Sequence, residues 1–228
     1  MRALLLDLDG TLLDHRAAAD AGVRSWAATL LEQVPVDLPA RWAELEERYV
    51  TRAERGELTW QEQRRHRLTE LFVELGLPSA LDPALDEHFA AFLTHYQRAW
   101  TAYDDVEAAV ASWVAAGARV AVLTNGVHEQ QCLKLEVIGV LAHVEFVVGL
   151  DQLGVGKPDP RVYAEACRRF GLPAGEVVYV GDDVARDAVG AHQAGLVGVW
   201  LNRLGLPVPP EVDRVVRGLD EVLALLSA

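Results

Sequence analysis

Four apolar residues, Ala3-Leu4-Leu5-Leu6, run directly into the polar stretch Asp7-Leu8-Asp9-Gly10-Thr11. A short unbroken apolar run closed by turn residues reads as a buried strand. From about residue 15 to residue 100 the period changes to that of helices, with Ala, Leu, Glu and Arg dominant. Four helices are expected there, over about 15–34, 39–55, 59–76 and 82–100. Thr59 followed by Glu62 is a capping-box signature, and Asp82-Pro83 supplies an N-cap with proline at the first helical position. Leu68, Leu71, Phe72 and Leu75 recur at helical spacing. Beyond Trp100 strands and helices alternate: strands over about 118–123, 144–148, 176–180, 196–201 and 214–216, helices over about 105–116, 128–138, 159–170 and 185–194.

That alternation predicts an α/β fold, a Rossmann-like parallel sheet with helices on both faces. The first strand belongs to the same sheet, so the helical region is an insertion. Residues 1–14 and 101–228 are expected to form the α/β core, and residues 15–100 an α-helical bundle cap. Ligands in open parallel sheets sit beyond the carboxyl ends of the strands. Three polar clusters fall there: Asp7 to Thr11, Thr124-Asn125-Gly126, and Gly181-Asp182-Asp183 with Asp187 a turn later. Asp7 and Asp9 share a face on an ideal strand, although Asp9-Gly10 looks like a turn able to re-aim Asp9. Two carboxylates ~4 Å apart repel by about 4 kcal/mol at an effective dielectric of ~20. A divalent cation would relieve that repulsion, so the pair reads as a nucleophile and an acid/base sharing a Mg2+ site. The competing reading is a solvated acidic loop.

Composition narrows the choices. The 228-residue chain is 51% hydrophobic, enough for a packed core, and its net charge of -13 argues against nucleic-acid or anionic-membrane partners. Its two cysteines, Cys132 and Cys167, have no metal-type spacing, which leaves a reducing cytoplasm as the default compartment. The start of the chain is too short and acidic for a signal peptide, and no apolar run reaches membrane-span length. Lys134 and Lys157 are the only lysines, and Lys157 sits in Gly154-Val155-Gly156-Lys157-Pro158. Its ammonium is a point charge suited to carboxylates or phosphate. The loop lacks the Ser or Thr of a phosphate loop, and Pro158 removes an amide donor, so a P-loop NTPase is rejected. Arg64, Arg65 and Arg67 form a basic cluster in the third helix. It is either a solvated face or a place where Arg64 or Arg67 binds an anionic part of a substrate. Trp26, Trp42, Trp60 and Trp100 read as packing residues, and the histidines show no ligand spacing.

Taken together, Asp7-Leu8-Asp9-Gly10-Thr11, Leu123-Thr124-Asn125-Gly126, Lys157-Pro158 and Gly181-Asp182-Asp183 through Asp187 resemble the four motifs of the haloacid dehalogenase superfamily, in order. The resemblance covers nearly the whole chain and extends to the helical insertion between the first two motifs. It implies that Asp7 is the nucleophile, forming an aspartyl-phosphate, and Asp9 the general acid/base. It implies that Asp7, the Asp9 carbonyl and Asp182 hold Mg2+, and that Thr124, Asn125 and Gly126 bind the phosphoryl group. It implies further that Lys157 stabilises charge in the transition state and that Asp183, Asp187 and Thr11 support the site from outside. Many relatives carry Ser or Thr where Asp183 stands. An acid at position 9 favours phosphate esters over carbon–halogen bonds, since the dehalogenases commonly have an aromatic there. Gln130, Lys134, Leu135 and Glu136 look similar to the branch of pyrimidine 5'-nucleotidases and N-acylneuraminate-9-phosphatases. The expected substrate is thus a small phosphorylated metabolite, such as a nucleoside monophosphate or sugar phosphate, handled by a monomer or homodimer. The alternatives are a metal-free 2-haloacid dehalogenase and a non-hydrolytic phosphoryl-accepting receiver module.

Overall fold

The computed structural model describes residues 3–226, which divide into two compact units, residues 15–100 and the remainder on either side. The α/β unit is built on a six-stranded, all-parallel sheet in the order β3-β2-β1-β4-β5-β6. Its strands are β1 (Ala3–Leu6), β2 (Val120–Leu123), β3 (Val147–Val148), β4 (Val177–Gly181), β5 (Val197–Leu201) and β6 (Val215–Val216). β1 lies between β2 and β4, pairing Leu6 with Val122 on one side and Val180 on the other. It is buried along its whole length, which is why its side chains form an unbroken apolar run.

The helical unit comprises α1 (His15–Ala27), α2 (Leu38–Glu54), α3 (Trp60–Glu74) and α4 (Asp82–Arg98). The Thr59–Glu62 capping box forms at the start of α3. Trp26, Trp42, Phe72, Phe89 and Phe92 pack in its interior, with the Trp42 and Phe92 ring centroids 4.6 Å apart. Here α1 stops short of the expected residue 34. After Ala27 the backbone tightens to three-residue bonds, Thr29 to Trp26 and Leu30 to Ala27, and the Thr29 hydroxyl donates to the Trp26 carbonyl. Such local side-chain bonding competes with helix continuation.

In the α/β unit α5 (Val106–Ala115), α6 (His128–Val137), α7 (Leu150–Leu153), α8 (Pro160–Phe170) and α9 (Gly190–Gln193) connect the strands, and α10 (Val222–Leu226) follows β6. α8 lays Val162, Tyr163, Ala166, Cys167 and Phe170 against Leu5, Leu123 and Tyr179 on one face of the sheet. α7 and α10 are single short turns that the residue pattern did not reveal. The helix expected over 185–194 is instead a π-helical turn, Val184–Val189, followed by α9. The extra residue in that wide turn changes which side chains face inward, and such turns concentrate at functional sites.

The chain leaves and rejoins this unit through paired backbone. Leu13 bridges Ala102 in antiparallel fashion, and the Asp14 N–H donates to the Thr101 carbonyl at 3.0 Å. No helix among the described residues is long and apolar enough to cross a membrane.

Candidate active site

Asp7 follows the last residue of β1 and is 6% exposed. Its N–H donates to the Val180 carbonyl at 3.0 Å, so the backbone is still locked to β4 at this point. Two residues later the chain turns away. The Leu8 carbonyl accepts from the N–H groups of Thr11, Leu12 and Leu13, and Gly10 adopts φ +91°. Only glycine enters that region without steric cost. A Cβ at Gly10 would also overlap the Asp182 carboxylate, so the bare backbone leaves room for that acid.

Lys157 reaches the same place from the loop before α8. Its ammonium donates to Asp7 Oδ1 at 2.6 Å, Asp187 Oδ1 at 2.7 Å and the Tyr179 hydroxyl at 2.8 Å, which uses all three protons. Asn125 fixes the loop: its amide donates to the Lys157 carbonyl at 3.0 Å, and its Oδ1 accepts from the Lys157 N–H at 2.6 Å. The Tyr179 hydroxyl lies 3.1 Å from the Leu123 carbonyl and 3.0 Å from Asp187 Oδ1, its single proton shared between these two acceptors, and so ties the lysine to β2 and β4. Asp187 is fully enclosed, and its second oxygen accepts from the Asp183 N–H at 3.0 Å.

Ligand oxygens of Asp7, Asp182 and Asp187 all lie within 4.8 Å of one another. Burial pushes the Asp7 carboxyl up to about 8, against the pull of Lys157, and Asp187 and Asp182 add to the rise. Asp182 is pushed up to about 6, by desolvation of its carboxylate and by Asp187, although the residue as a whole stands at the open side of the group. Burial pulls the Lys157 ammonium down, but Asp187 and Asp7 outweigh it and hold the group above its ordinary value. Three acids against one lysine leave an excess of negative charge. Hard oxygen donors in that setting suit a small divalent cation such as Mg2+.

The other residues singled out in the sequence fall in distinct places. Thr124 is buried after β2, and its hydroxyl accepts from the Gly126 N–H at 3.1 Å. Thr11 is buried as well, and its hydroxyl has no partner among the described residues. Asp183 faces away from the acidic trio, accepting from the Arg186 N–H at the start of the π turn. The carboxylate of Asp9 accepts from Lys134 at 2.7 Å to each oxygen and from Gln131 at 3.0 Å. The sequence pattern singles out Lys134 only as part of a branch resemblance, with Gln130 rather than Gln131 beside it, and gives neither Lys134 nor Gln131 a place in the site. Their three-residue separation on one helical face, and the scarcity of lysine, were the available signals. Tyr179 was likewise missed, being hidden within an otherwise apolar strand.

The arginine cluster of α3 is dispersed within the helical unit. Arg65 pairs with Asp82 and Asp86, and Arg64 is half-buried over the Phe89 ring. Arg67 is 2% exposed, lies 4.2 Å over the Trp42 ring and pairs with Glu46 at 2.9 Å. It is not on a solvated face; Glu46 pairs with its charge, while its buried Nε has no hydrogen-bond partner among the described residues.

A model of the haloacid dehalogenase-like hydrolases matches residues 1–195. The chain is 31% identical to the phosphoserine phosphatase of Thermus thermophilus across 95% of each chain. It is 33% identical to (S)-2-haloacid dehalogenase 4A of Burkholderia cepacia across 56% of each. To the pyrimidine 5'-nucleotidase YjjG of Escherichia coli it is 33% identical, across 37% of this chain and 38% of that one. The solved structure of YfnB from Bacillus subtilis superposes with a TM-score of 0.85 at 23% identity, covering 100% of this chain and 99% of that one.

Proposed function

The chain belongs to the haloacid dehalogenase-like hydrolase family, and on that footing we propose that it is a Mg2+-dependent phosphomonoesterase working through an aspartyl-phosphate on Asp7. Its substrate in this reading is a small phosphorylated metabolite, such as a nucleoside monophosphate or a sugar phosphate, met in the cytoplasm by a monomer or homodimer.

One observation carries the reading: Asp7 has a buried lysine on one oxygen and sits in a group of acids that demands a further cation. A carboxylate must approach a phosphate dianion, and only local positive charge makes that approach feasible. The Asp7 and Asp182 carboxylates, with the Asp9 carbonyl, would hold Mg2+. When bound, the ion neutralises charge shared between nucleophile and phosphoryl group.

The chain's own residues do the rest. An Asp7 oxygen attacks phosphorus as the ester P–O bond breaks, and the Asp9 carboxyl gives its proton to the departing oxygen. Asp9, now a carboxylate, takes a proton from the water that attacks the acyl phosphate. Inorganic phosphate leaves and Asp7 is restored. Lys157 spreads charge over the transferring group, while Thr124 and the backbone of Asn125 and Gly126 orient its oxygens. Thr11, Asp183 and Asp187 act from outside, Asp187 by fixing Lys157.

A second reading, 2-haloacid dehalogenation, draws on the relative from Burkholderia cepacia. Asp9 weighs against it, because a departing halide needs no proton donor. The test is phosphate release from p-nitrophenyl phosphate and from a panel of phosphomonoesters that includes phosphoserine and nucleoside monophosphates. We expect turnover with Mg2+, none with EDTA, and none for Asp7→Asn. Halide release from 2-chloropropionate in EDTA, with no phosphate release from any ester, would refute the proposal.

A further inference from the structure

Asp9 sits on a turn, where a short carboxylate has several directions open to it. In this structure its direction is set from another element. α6 places Gln131 and Lys134 one turn apart, and both are buried, Lys134 being 4% exposed. The Lys134 ammonium grips both Asp9 oxygens at 2.7 Å. The Gln131 amide donates to Asp9 Oδ2 at 3.0 Å and to the Thr124 hydroxyl at 2.9 Å. A Cβ at Gly126 would occupy the space of that amide, so the glycine after Asn125 is what allows Gln131 to reach across.

Burying an ammonium is costly unless a carboxylate meets it, so Lys134 and Asp9 constrain each other. Bidentate contact with Nζ removes the freedom of the Asp9 side chain to rotate. Gln131 ties the same carboxylate to Thr124, at the end of the neighbouring strand. We propose that Lys134, assisted by Gln131, is a positioning residue that aims Asp9 at the ester oxygen of the substrate. The proposal rests on the phosphomonoesterase reading above. Lys134 does not touch phosphorus; it acts through Asp9, both where a proton reaches the leaving group and where Asp9 later takes one from water.

Only the first of these steps depends on the leaving group, and it defines the test. An alkyl phosphate needs protonation of its leaving oxygen far more than p-nitrophenyl phosphate does. Wild type, Lys134→Met, Lys134→Arg and Gln131→Met are compared on both ester classes with saturating Mg2+, with circular dichroism of each. For Lys134→Met, kcat/KM for alkyl esters should fall about 100-fold, a typical contribution of a general acid. The fall in kcat/KM for p-nitrophenyl phosphate should stay within about 5-fold, because this ratio ends at release of the alcohol and leaves out the hydrolysis of the acyl phosphate that both classes share. Lys134→Arg should restore much of the alkyl-ester rate, and Gln131→Met should show a smaller loss of the same selectivity. Equal losses of kcat/KM on both classes, or none on either, would overturn the inference. Should Lys134→Met fail to fold, Gln131→Met decides by the same criterion. A wild-type protein that releases phosphate from neither class would instead sink the underlying phosphomonoesterase reading.

Discussion

Replacing Asp7 by Asn should abolish turnover and yet make the metal-free protein more stable. The carboxyl is almost fully enclosed, and two other acids lie beside it, so its folded value rises from 3.8 to about 8. Between those limits the folded chain keeps a proton that the unfolded chain releases. Stability from this group is therefore undiminished below pH 3.8, declines as pH rises, and reaches its full penalty above about 8. At about 1.4 kcal/mol per pH unit the penalty is on the order of 5 kcal/mol at pH 8 and above. Asn has the same shape, no charge, and an oxygen that still accepts from Lys157. At about 3 °C per kcal/mol, the variant should melt on the order of 15 °C above wild type at pH 8, and level with it near pH 4. The assay is thermal unfolding followed by circular dichroism, in EDTA, at intervals from pH 4 to pH 9. Mg2+ should then raise the melting temperature of wild type more than that of the variant, because the cation takes the place of the proton. Asn and wild-type proteins that melt together at pH 8 in EDTA would refute the electrostatic account of this site.

Two further outcomes follow from the geometry. Gly10→Ala forces a side chain into positive φ, at about 1–2 kcal/mol, and displaces the Asp182 carboxylate. Half-saturation by Mg2+, measured from phosphate release, should move up at least 10-fold, by about 1.4 kcal/mol or more; an unchanged metal dependence would count against the assignment of Asp182. Glu46→Gln leaves the Arg67 guanidinium enclosed without its counter-charge and should destabilise the helical unit by about 3 kcal/mol. Against its burial, Arg67 and His15 hold the Glu46 carboxyl far below the usual range, so its contribution is present above pH 4.5 and fades as pH falls further. Urea melts of the two proteins should accordingly converge in acid.

The fold class was legible because the periodicity is clean. Buried parallel strands must be apolar throughout, and Gly117, Gly139 and Gly171 mark the ends of the elements before them. Side-chain direction was harder to read. Gln130 and Gln131 are neighbours in sequence but point about 100° apart on a helix, and only Gln131 is buried. The wide turn after Asp183 adds a residue to the helical phase, which sends Asp187 inward, while Asp183 caps the turn through the Arg186 N–H. Arg67 met its partner on another helix, at Glu46, and a partner 21 positions away leaves no local mark.

The backbone pairing of Leu13 with Ala102 has a consequence for how such a protein can change. Residues 15–100 enter and leave through adjacent strands of backbone, so a short splice would close the gap without disturbing the sheet. Any graft whose own two ends emerge side by side fits the same socket. The acidic group at the end of the central strand can then be kept while the inserted module is exchanged for another.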